Sequence, residues 1–234
     1  MAHINWYFIS GSGPDVPPTL SSATIATDGN SITLAFSEAV TIGAGGSAGF
    51  TLSMAGGACT ITYSSGTGTS SLVYTTSRTI TQHDVGTLSY VQPGNGIEDL
   101  TGNDLASFTN TAVVNNSTVN TTPTDILLSN SSVSVAGGVN AGVGTLSTVD
   151  PDYGDTFTYT LVAGTGSTNN ASFNIAGSLL RCNDPNALGL GTYSVRIQTS
   201  DGTASFAKPF TITVVAATTS NHHAGRGRLR GRLR

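Results

Sequence analysis

Charge is what this sequence has least of: only 9% of its 234 residues are charged and only 7% are aromatic. Strong helix formers are sparse as well, so a helical domain is excluded as the main architecture. No apolar run approaches the roughly 18–20 residues of a membrane-spanning helix. The start, MAHINWYFIS, lacks the positive region and small-residue cleavage site of a signal peptide, and it is expected to be a mature, uncleaved N-terminus. Cysteine is equally scarce. Cys59 and Cys182 fall one in each half, which excludes a disulfide within either half and leaves both as small buried hydrophobes.

What the chain does contain is Gly, Thr and Ser in quantity, including 29 glycines, a mix that suits short strands joined by tight turns. Residues 115–125, NNSTVNTTPTD, form an uncharged joint between two β-patterned segments, each long enough for its own core. The expected division is an N-terminal extension (1–17), a first domain (18–114), a linker (115–121), a second domain (122–216) and a tail (217–234). The joint 115–125 as a whole is expected to be a plain spacer stiffened mainly by Pro123.

In the first half, LSSATIAT, the turn Asp28-Gly29-Asn30 and SITLAFS, with Ile32, Leu34 and Phe36 alternating, spell a hairpin. FTLSM, CTITYS, SLVYTT and TLSYVQ follow, each bounded by turn residues and too short for a helix. In the second half, alternation is clear at Phe157, Tyr159 and Leu161, at Tyr193, Val195 and Ile197, and at Phe210, Ile212 and Val214. Pro209 places its strand at a sheet edge or a bulge. The expected fold class is all-β, two tandem immunoglobulin-like β-sandwiches.

Two resemblances sharpen this. PTLSSATIATDGNSITLAFSEAV, with its Phe36-Ser37-Glu38 end, and the later turn Asp99-Leu100-Thr101-Gly102-Asn103 resemble the bacterial immunoglobulin-like repeat of the SwmB type over residues 18–114. Residues 122–216 resemble a cadherin-like repeat, through TPTDI, GTLSTVDPDYGDTFTYTL, FNIAGSLL, YSVRIQTSDG and FAKPFTITV in that order.

The second resemblance implies calcium held by acidic loops. Asp150 and Asp152 match the D-x-D of such repeats, Asp155 lies three residues on, and Asp201 matches the acidic residue of the DG loop. Two other family features are absent: the joint has no DxNDN string, and Asp184-Pro185-Asn186 stands where an acidic DRE segment is expected. The alternative for these aspartates is turn capping. In the first half, Glu98, Asp99, Asn103 and Asp104 are a loop that either holds a separate ion or simply caps its own turn.

Catalytic patterns do not assemble. Residues 45–49, GGSAG, match G-x-S-x-G in letters, but FTLSM after them reads as a strand where a nucleophile elbow needs a helix. His83 and Asp84 are merely adjacent, and no enzyme is expected.

The two ends are the expected partner-binding elements. Trp6, Tyr7 and Phe8 supply an aromatic patch, and Arg226, Arg228, Arg230, Arg232 and Arg234 make a basic tail in which GRLR occurs twice. Without those five arginines, four basic residues face thirteen acidic ones, a body of −9. Surface-type modules without an export signal point first to a non-enzymatic structural accessory protein of a bacteriophage particle. It would be a capsid decoration protein or short fibre, a homo-oligomer or present in many copies, and bound to other virion proteins of the capsid or tail. The alternative is a bacterial surface adhesin or matrix protein, extracellular and calcium-stiffened, that meets a host-surface glycan or protein. Neither reading calls for a membrane or for nucleic acid.

Overall fold

Alternation along the first half of Ser31–Ile42 (β2) buries Ile32, Leu34 and Phe36 on one face, with Val40 buried further on, which is how a two-residue side-chain period places a strand against a core. The computed structural model describes residues 15–218. By contacts these form two compact units, the first made of residues 15–122 and Asp150–Thr156, the second of 123–149 and 157–218.

In the first unit, Leu20–Ile25 (β1) and β2 form the expected hairpin, with Ile25 opposite Ile32. Its turn depends on Gly29, whose φ of 68° is a left-handed conformation and whose missing Cβ would lie 2.1 Å from the Ile80 carbonyl oxygen. Ile61–Ser65 (β4) and Thr69–Thr76 (β5) extend this sheet on one side of β2, and Val114–Asn115 (β9) runs parallel to β1 on the other. The β2 register breaks between Ala35 and Val40, beyond which the strand also pairs with Ile97–Asp99 (β7). Phe50–Met54 (β3), Gly86–Tyr90 (β6) and Phe108–Ala112 (β8) build the second sheet. Ile25, Ile32, Leu34, Leu72, Leu88 and Ile97 fill the core, and each such side chain contributes roughly 1.5–3 kcal/mol on burial. The Phe50 ring packs on Tyr74 and Tyr90 at centroid distances of 5.4 and 4.5 Å, and the Ile97 amide donates to Tyr90 Oη.

Residues 115–121, expected to be a spacer, are hydrogen-bonded to the first unit along their length. Thr118 N donates to Thr27 O, Gln82 N donates to Val119 O, and Asn115 Nδ2 donates to both Thr81 O and Asp84 O.

In the second unit, Asp125–Leu128 (β10), Ala141–Val149 (β12), Leu179–Cys182 (β15) and Phe173–Ala176 (β14) form one sheet in that spatial order. Ser132–Ser134 (β11), Ser205–Val215 (β17), Gly191–Ser200 (β16) and Thr158–Leu161 (β13) form the other. Ile126, Leu146, Phe173, Leu180, Val195, Ile197 and Ile212 make its core. Pro209 pairs with Arg196 without a register break, while β11 covers only Thr213–Val215 on the other side of β17. The proline therefore sits on an edge and not at a bulge, where its missing N–H removes no ladder bond. The one α-helical turn among the described residues, Pro185–Leu188 (α1), is capped by Asp184, whose side chain accepts from the Asn186 and Ala187 amides. The aspartate of that Asp-Pro-Asn run is a helix cap here.

The protein is thus all-β and immunoglobulin-like. Cys59 and Cys182 are free and buried.

Candidate cation site

The segment Asp150–Thr156, DPDYGDT, leaves β12 and packs within the first unit. Its shape follows from its residue types. Asp150 Oδ1 accepts the Asp152 amide at 2.8 Å, closing an Asx turn over Pro151. Gly154, with φ of 83°, brings the chain so close to residue 83 that a Cβ on it would lie 3.3 Å from His83 Cβ. The loop thereby reaches a turn formed by residues 81–84.

That turn is held from several sides. Asp84, 1% exposed, accepts from Gly56 N at 2.8 Å and from Arg78 Nη2 at 2.6 Å, and the two Asn115 bonds secure the turn's carbonyls. His83 is held at φ 63°, a left-handed conformation uncommon outside Gly, Asn and Asp. Its Nδ1 lies 2.7 Å from Asp155 Oδ1, and the Asp155 side chain is 1% exposed. Asp152, 7% exposed, accepts the Thr121 amide on Oδ2 at 2.6 Å.

Three of the four aspartates named from sequence thus lie on one loop. Asp150 and Asp155 bring carboxylate oxygens within 4.8 Å of each other. The remaining oxygens of Asp152 and Asp155, Oδ1 and Oδ2 respectively, are buried and take no hydrogen bond. A dehydrated carboxylate oxygen without a donor is costly, and a hard cation is the species that such oxygens satisfy. The donor set therefore fits calcium chemistry. Asp201 lies in the second unit, at the turn between β16 and β17, where its Oδ1 accepts from Thr203 N and Ala204 N.

The Glu98–Asp104 loop behaves differently. Asp99, 2% exposed, accepts from the Thr101 amide and hydroxyl and from the Asn103 amide and side chain. Burial on its own would raise its pKa; the bonds from Asn103 and then Thr101 outweigh burial and hold the carboxyl well below the usual range. Asp15 and Glu38, which the loop's sequence does not announce, bring carboxylates within 4.8 Å of it. Asn103 Nδ2 also donates to Asp15, and the Thr101 hydroxyl, which has one proton to give, faces the Asp15 carboxylate as well as that of Asp99. The loop is a turn closed by its own donors, as the capping alternative expects.

His83 is the residue beside this loop that sequence reasoning overlooks. It stands 72 positions from Asp155, beside an aspartate with which it forms no catalytic pair, and nothing local marks it. The GGSAG stretch is followed by strand β3, not by the helix a nucleophile elbow needs. Trp6, Tyr7, Phe8, Arg226, Arg228, Arg230, Arg232 and Arg234 lie outside the described residues.

No family model and no curated protein matches the chain. Solved structures do. Human protocadherin-24 repeats EC1-2 are 13% identical, with a TM-score of 0.40 and coverage of 87% of this chain and 100% of that one. Drosophila N-cadherin EC1-3 is 14% identical, with a TM-score of 0.32 and coverage of 87% and 69%. The N-terminal part of the bacterial S-layer protein SbsC is 14% identical, with a TM-score of 0.32, and this chain spans 44% of its length.

Proposed function

We propose that this protein is a non-enzymatic adhesive or matrix module of a cell surface, acting outside the cell, whose immunoglobulin-like folds are stiffened by calcium on the Asp150–Thr156 loop. The observation that carries this is Asp155: its side chain is 1% exposed, yet Oδ2 has no hydrogen-bond donor. Asp150 supplies the neighbouring carboxylate. Ordinary folding avoids leaving such an oxygen dehydrated, and a cation converts the cost into a bond. The cadherin-like order of motifs in residues 122–216 supports the same reading. The partner-binding elements of the virion reading, Trp6, Tyr7, Phe8 and the arginine tail, lie outside the described residues, and what the described residues do carry favours the surface reading.

Thermal melts in calcium and in EDTA test it. A ligand at 100 times its Kd adds about 2.7 kcal/mol of stability. Chelation is expected to lower the Tm of the wild type and to leave Asp155→Asn unmoved. Superimposable wild-type melts would remove calcium from the account.

A further inference from the structure

The Asp155 carboxylate, whose side chain is 1% exposed, is held by a residue that no repeat motif supplies. His83 Nδ1 approaches Asp155 Oδ1 at 2.7 Å, and the unpartnered Oδ2 is the atom left for a cation. We infer that His83 is the positioning residue of this cation site, donating Nδ1–H to one Asp155 oxygen so that the other is presented to the metal. The inference rests on the cation reading of the loop and adds to it a residue from the 81–84 turn.

Three observations carry it. An ionised carboxylate only accepts hydrogen bonds, so the short contact requires the proton on Nδ1. The turn that carries the ring is anchored without an ion, because Asp84 is held by Arg78 and Gly56, and Asn115 bonds the carbonyls of Thr81 and Asp84 on either side of His83. The left-handed backbone at His83 and the glycine at 154 exist together: one turns the ring toward the loop, and the other lets the loop come within contact of residue 83. A partner that fixes a ligating carboxylate in this way typically controls metal affinity by about 10–100-fold.

The experiment compares two variants of the full chain by terbium luminescence and calcium calorimetry at pH 8. His83→Gly removes the donor while relaxing the left-handed backbone. His83→Asn keeps an N–H donor at the same number of bonds from the backbone and tolerates positive φ. Affinity is expected to fall about 10–100-fold in His83→Gly and to stay within about threefold of wild type in His83→Asn. Equal affinities for wild type and His83→Gly, or equal losses in the two variants, overturn the positioning role. If wild type binds no ion, the cation reading fails and takes this inference with it. If wild type binds and Asp155→Asn abolishes binding while His83→Gly does not, only the positioning role fails. Nitrogen NMR of the metal-free wild type adds a reading independent of variant folding: the Nδ1–H tautomer is expected at His83, and the Nε2–H tautomer contradicts the inference.

Discussion

Arg78 Nη2 meets Asp84 Oδ2 at 2.6 Å, with the Asp84 side chain fully buried and that of Arg78 27% exposed. Asp84 also takes the Gly56 amide, so one carboxylate ties β5's exit, the turn after β3 and the turn that carries His83.

Breaking that pair strands a buried charge. Arg78→Met is expected to destabilise the protein by about 3 kcal/mol, the lower end of the range for buried pairs, because Arg78 keeps some solvent. Urea unfolding of Arg78→Met, Asp84→Asn and the double variant checks this. The double variant should lose less than the two single losses together, since the residues share one interaction.

Acid should weaken the first unit through Asp99. Its folded pKa is depressed below the ordinary 3.8, so its contribution is fully present above that value and is lost as pH falls through the lower folded value. Urea midpoints from pH 5 down to pH 2 are expected to fall in the wild type. The fall should be shallower in Asp99→Ala, which starts from a lower midpoint because the Thr101 and Asn103 donors lose their acceptor.

Gly29 tolerates no side chain. Alanine there meets a φ of 68° and a carbonyl oxygen 2.1 Å from its Cβ. The backbone conformation alone costs about 1–2 kcal/mol, and displacement of Ile80, whose amide donates to Gly29 O at 2.8 Å, adds to it. A Tm drop in Gly29→Ala clearly larger than in Gly46→Ala would verify this, because Gly46 also has positive φ but open space around its Cβ position.

Leu88 is fully buried on β6, between Leu52 on β3 and Thr111 on β8. Leu88→Ala is expected to cost about 2–5 kcal/mol through lost burial and the cavity left behind. Chemical unfolding monitored by the tyrosines of that core, Tyr74 and Tyr90, reads the change directly.

Local pattern sets the limit of what could be read ahead of the structure. The β1–β2 hairpin was legible because Ile32, Leu34 and Phe36 alternate and Asp28-Gly29-Asn30 can take the turn. Ile97–Asp99 and Val114–Asn115 were not, because strands of three and two residues carry no period. The aspartates of DPDYGD were visible as a group, since they are close in sequence. Their hydrogen-bond partners, His83 and Thr121, were invisible because they come from distant parts of the chain.

The sequence by itself determined the all-β class, the hairpin, the alternating core positions and the acidic composition of one loop, because each is written in residue types a few positions apart. Only the tertiary structure decided that Asp155 is buried against His83, that Asp152 accepts from Thr121, and that residues 115–121 are bonded into the first unit. Those relationships depend on which loops packing brings together, and the side-chain periodicity that builds strands carries no information about where the loops between them will meet.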